Sequence, residues 1–173
     1  DINLETSHLN AVLPYLVFDK KAVFRGVLST QNNLFKMTLN IPKISFKTFN
    51  AENIALQFDN QNPLYNTLIS VGKIDSDSYQ IRDFYSVGVE TQNAINFSTE
   101  FFGGNNKNDV FQLNYSLLLD GSKKKILINR STAHLGSNTW TINPKFDQQH
   151  WISYDPISQR AELNFLNVHS EDE

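Results

Sequence analysis

The chain has 173 residues, a net charge of −3, 40% apolar and 19% charged residues, 13 Phe and 2 Trp, enough for one well-filled domain and too apolar for a disordered chain. No stretch gathers the Lys/Arg excess that a phosphate backbone attracts, so no nucleic acid is expected as a partner. The absence of Cys excludes disulfides, thiolate metal sites and cysteine nucleophiles, and leaves the redox compartment open.

Residues 1–20 read as an irregular or short helical leading segment. Leu4, Leu9, Val12, Leu13 and Leu16 would share one helical face, which Pro14 interrupts. No run reaches the roughly 18 to 20 apolar residues of a membrane span. The start at Asp1 and the acidic tail 171–173 read as the ends of an excised piece.

From residue 21 to 170 the period becomes two, which predicts one all-β domain. Phe35, Met37, Leu39 and Ile41 alternate with Lys36, Thr38 and Asn40, and this places the apolar side chains on one face of a strand. Ile44 and Phe46 follow, then Ile54, Leu56 and Phe58. The pattern loosens from Leu68 to Ile74 and from Tyr79 to Val89, where the register is not legible. It returns at Ile95, Phe97 and Phe101, is longest at Phe111, Leu113, Tyr115, Leu117 and Leu119, and resumes at Ile126, Ile128, Trp140 and Ile142.

The separators are turn formers: Phe49 to Glu52, Asn60 to Pro63, Asp75 to Ser78, Gly103 to Asn106, and Asp120-Gly121-Ser122. The last leads into Lys123-Lys124-Lys125, which reads as the solvated shoulder of a hairpin. Strands of this length with short turns predict an antiparallel meander. It closes into a barrel, folds into a sandwich with an ordinary core, or curls into an elongated groove with an apolar interior.

Chemistry-bearing patterns are sparse. His8, His134, His150 and His169 lack metal-site spacing, so no metal is expected. Asp75 and Asp77 begin like a calcium loop but lack its later ligands and its glycine. Asp83, Glu90 and Glu100 are candidate paired carboxylates of the kind any all-β domain offers. Trp140 or Trp151 beside a carboxylate is a candidate sugar platform. No nucleophile elbow, phosphate loop or dinucleotide fingerprint occurs, so neither catalysis nor a cofactor is expected. Asn96-Phe97-Ser98, Asn114-Tyr115-Ser116 and Asn129-Arg130-Ser131 match the glycosylation triplet and read as chance in an Asn-rich chain.

Leu13-Pro14-Tyr15-Leu16 with Phe24-Arg25-Gly26-Val27-Leu28, then Asn53 to Asp59, resemble TamB-type proteins of the AsmA-like, repeating β-groove superfamily, in their Bacteroidetes-like form. Ser137 to Pro144, followed by Ile152 to Asp155 and Ala161 to Phe165, is similar to that family's passage of a Trp-x-Ile/Leu-x-Pro strand and two further strands. The likeness covers most of residues 10–170.

The resemblance implies a periplasmic slice of an inner-membrane-anchored translocation and assembly protein. Such a protein conducts phospholipid between the two membranes and serves outer-membrane biogenesis. Acyl chains, adjoining β-groove segments and an Omp85-type barrel would be its partners. The candidate lining of the hydrophobic groove is the alternating set: Phe35, Met37, Leu39, Ile54, Leu56, Phe58, Ile95, Phe97, Phe101, Leu113, Tyr115, Leu117, Ile126, Ile128, Trp140 and Ile142. The competing expectation is a structural or interaction sandwich of the envelope without lipid transport.

Overall fold

The computed structural model describes residues 2–4, 16–18, 21–104, 108–118, 124–144, 150–164 and 166–170. All fifteen strands join one antiparallel sheet. They are β1 (Ile2–Leu4), β2 (Val17–Phe18), β3 (Val23–Ser29), β4 (Leu34–Phe46), β5 (Phe49–Asp59), β6 (Thr67–Asp75), β7 (Gln80–Glu90), β8 (Ala94–Gly103), β9 (Asp109–Leu118), β10 (Lys124–Ile128), β11 (Ser131–Leu135), β12 (Asn138–Ile142), β13 (His150–Asp155), β14 (Arg160–Asn164) and β15 (Val168–Ser170). Neighbours in sequence pair from β3 to β9.

The meander holds beyond β9 once interrupted strands are joined. β10 and β11 lie end to end along β9, β13 and β12 lie along β10 and β11, and β14 and β15 continue beside them. β2 and β3 likewise share the flank of β4. The leading segment thus contributes two short strands, one of them β1 against β3. The helical stretch expected there lies outside the described residues, as do residues 119–123 and 171–173.

The sheet is a single curled layer, open along its edges, rather than a sandwich. Among the described residues no large apolar side chain is fully buried. The apolar core is Ala22, Ile41, Ala51 and Ala133, and the largest side chains wholly out of contact with water are Thr67 and Ser86. A sandwich of this size would bury whole Phe, Leu and Ile side chains between its layers.

One turn differs from expectation. Phe49 to Glu52 already belong to β5, and the chain reverses at Lys47-Thr48, where Phe46 faces Phe49 and Lys47 takes φ 53°. A two-residue hairpin loop needs such a left-handed residue, and here Lys supplies what Gly usually does.

The candidate groove and its two creases

One face of the sheet is mostly apolar from β3 to β14, and two rows of irregular backbone keep it so. The first row crosses β4 to β7 at Pro42, Asn53, Gly72 and Asp83, where ladder pairing is skipped. Asn53 and Asp83 have φ 56° and 52°, left-handed values that Asn and Asp tolerate better than most residues. At Asp83 the register against β8 slips by one residue, a β-bulge. Gly72 is needed beside Asn53: a Cβ there would lie 3.1 Å from both Cβ and Nδ2 of Asn53.

The slip fixes which residues face inward. Ile81 lies opposite Gly103, while Phe84 stacks on Phe101 with centroids 5.8 Å apart. Gly103 and Phe101 are two apart on a regular strand and share a face. Ile81 and Phe84 therefore share it too, although they are three apart. The same spacing recurs at Ile41 and Ile44, Ala51 and Ile54, and Val71 and Ile74, which pair in two cross-strand rows: Ile41, Ile54, Val71, Phe84 and Ile44, Ala51, Ile74, Ile81. Their charged neighbours Lys43, Glu52, Lys73 and Arg82 take the outer face, where Lys43 pairs with Glu52 at 3.5 Å and Lys73 with Asp75 at 2.5 Å.

The second crease lies at residues 129–130, 143–144 and 166–167, between the two halves of each interrupted strand. Amide side chains hold it. Asn114 Nδ2 donates to Arg130 O (3.0 Å), and Asn129 Nδ2 to Ser116 Oγ (3.0 Å), which itself donates to Asn96 Oδ1 (2.7 Å). Buried Asn143, at φ 54°, donates to Ile128 O (3.0 Å) and accepts from Asn167 N (3.0 Å). The three Asn-x-Ser triplets thus come together at this junction as backbone and side-chain partners.

Every residue of the candidate lining set lies on the inner face. Phe35, Met37, Leu39, Ile54, Leu56 and Phe58 line β4 and β5; Ile95, Phe97, Phe101, Leu113, Tyr115 and Leu117 line β8 and β9; Ile126, Ile128, Trp140 and Ile142 continue beyond them. Aromatic rings run across the strands: Phe101 stacks on Phe111 at 4.5 Å and Phe97 on Tyr115 at 5.0 Å. Ile69, Val71, Phe84 and Phe111 also belong to this face, by register. The i, i+3 apolar pairs flanking Gly or Asp were the signal for Val71 and Phe84.

The floor is built of small residues at β6 to β8. Thr67, Ser86 and Thr99 are small and buried, with the hydroxyls of Ser86 and Thr99 2.6 Å apart. Gly88 makes room for Phe97, whose Cε1 lies 2.7 Å from where a Cβ on Gly88 would sit. Toward the second crease a hollow of about 380 Å³ opens among Leu113, Tyr115, Ile126, Ile128, Ser131 and Ile142.

Alternative chemistries find no convergent site among the described residues. No family model, curated protein or solved structure matches this chain. Asp83 and Glu90 are seven residues apart on β7, about 23 Å along an extended strand. Glu100 lies on the outer face opposite Gln112. No group of three His, Asp or Glu assembles among the described residues. His134 bonds Thr139 (2.9 Å) on the outer face, and buried His150 faces inward opposite Ile128. Trp140 is on the inner face and Trp151 on the outer, where Lys125 Nζ sits 4.6 Å from its ring centroid, so the two form no common platform.

Proposed function

We propose that the chain is a non-enzymatic segment of a periplasmic β-groove that carries phospholipid acyl chains along its inner face, between inner and outer membranes. The observation that carries this reading is the largely apolar face, interrupted on its floor by Thr67, Ser86 and Thr99. Its apolar cross-strand rows run from Phe24 on β3 to Ile69 on β6 and from Ile95 on β8 to Leu163 on β14, and both creases keep the apolar side chains on one face. An acyl chain needs repeated apolar contact without directional polar groups, at about 25 cal/mol per Å² removed from water. Inner-face side chains remain open to supply it: Phe35, Ile126, Ile152 and Leu163 are all exposed. The resemblance to TamB-type proteins supports the same reading, with adjoining groove segments and an Omp85-type barrel as the neighbours it implies.

The two tryptophans test it, one on each face. Trp151→Phe leaves inner Trp140 as the emitter, and Trp140→Phe leaves outer Trp151. Dibrominated stearic acid or dibrominated phosphatidylcholine is expected to quench Trp140 and spare Trp151. Equal quenching of both, or none of Trp140, sinks the groove reading.

A further inference from the structure

The two long rims of the groove are built differently. At one rim, Tyr79 in the β6–β7 turn reaches over β8 to β9. Its ring fills the space that a Cβ on Gly103 would take, and its hydroxyl donates to Asp109 Oδ2 at 2.7 Å. Asp109 Oδ1 in turn accepts from the backbone N–H of Gly136, in the β11–β12 turn, at 3.3 Å. The Tyr79 turn is itself fixed by Ser76, whose N–H and Oγ both bond Tyr79 O. One clasp therefore links two turns through the start of β9 and crosses β8.

At the opposite rim the ties of Asn60 and Asn66 join neighbouring strands. Asn60 bonds Asn33 O and Phe35 N between β4 and β5, and Asn66 accepts from Glu90 N between β6 and β7. Inner-face side chains are exposed at both rims, and most at the opposite one: Leu28 is 73% and Leu163 62% exposed there, against 36–42% for Phe46, Phe49 and Leu135 at the clasped rim.

We propose that the Tyr79–Asp109–Gly136 clasp makes the groove one-sided, fixing its own rim so that apolar chains reach the inner face across the opposite one. The fixed rim follows from the geometry alone; the side of access rests on the groove reading above, and the two parts are tested separately.

The chain has no Cys, so introduced pairs are the only labelling sites. Spin labels at Asp77→Cys and Ser137→Cys report the clasped rim, and at Gln92→Cys and Ser158→Cys the other. Both Tyr79→Phe, which removes the donor, and Gly103→Ala, which displaces the ring, are expected to broaden the first distance distribution about twofold and leave the second unchanged. An unchanged first pair, or equal broadening of both in variants that keep their strand content, overturns the clasp. For access, a polyethylene glycol chain on Gln92→Cys is expected to slow association of cis-parinaric acid about tenfold, and one on Asp77→Cys less than about twofold. Equal slowing overturns the side of access. If the unmodified chain takes up no parinaric acid, the groove reading and the side of access fall together, and the spin-label distances still decide the clasp.

Discussion

The two creases solve one problem by different means. A strand that bends would ordinarily send every later side chain to the wrong face. At the first crease each strand stays continuous and shifts its parity at a single residue, through the left-handed backbone of Asn53 and Asp83 beside Pro42 and Gly72. At the second the strands stop and restart, and amide side chains take over the ladder's hydrogen bonds. The first thus stores its bend in backbone conformation, the second in side-chain bonding, and substitutions should separate them.

The largest effect is expected at the second crease. Asn143→Leu strands the carbonyl of Ile128 and the N–H of Asn167 in a buried site, and it places a bulkier side chain at φ 54°. A loss of about 3 kcal/mol is expected in denaturant unfolding. A smaller loss, about 2 kcal/mol, is expected for Gly88→Ala on the floor between the creases. Its methyl would meet Phe97, Thr67 and Ile95 at 2.7, 3.0 and 3.1 Å.

At the first crease the backbone argument gives a paired test. Asn53→Val forces a β-branched residue into φ 56° and should lower stability by about 1 to 2 kcal/mol, whereas Asn53→Gly accepts that φ and should lower it by less than about 0.5 kcal/mol. If both variants lose the same stability, the Asn53 side chain and not its backbone makes the crease, and the contrast with Asn143 collapses.

How much of this was legible depended on pleat. Phe111 to Leu117 and Ile95 to Phe101 alternate because β8 and β9 run unbroken between the creases, so period two was enough to find their inner face. Ile69, Val71 and Phe84 escaped because Gly72 and Asp83 shift the period inside the strand, which strict alternation reads as noise. The Asn-x-Ser triplets looked accidental because their meaning lies in pairing: Asn96 opposite Ser116 is a cross-strand relation, and Asn129 reaches the same hydroxyl from the break between β10 and β11. The turn at Lys47-Thr48 was masked by the more turn-like composition just after it.

The smallest expected effect concerns the clasp, which runs from the turn before β7, the last strand of the first crease, to the β11–β12 turn beyond the second. Burial, then the hydrogen bond to the Asp109 carboxylate and its charge, push the Tyr79 phenol up to about 12 from its ordinary 10.0. The neutral phenol is thus favoured in the folded chain. Its stabilisation is complete below pH 10, where both states hold the proton. It falls as pH rises from about 10 to about 12, where the unfolded chain ionises first. Tyr79 is 37% exposed, so solvent screens the effect and only a shallow slope is expected. Tyr79→Phe should flatten that part of the slope. A Tyr79→Phe chain that keeps the wild-type slope would place the alkaline sensitivity outside the clasp and leave the link between the two creases to the backbone ladder alone.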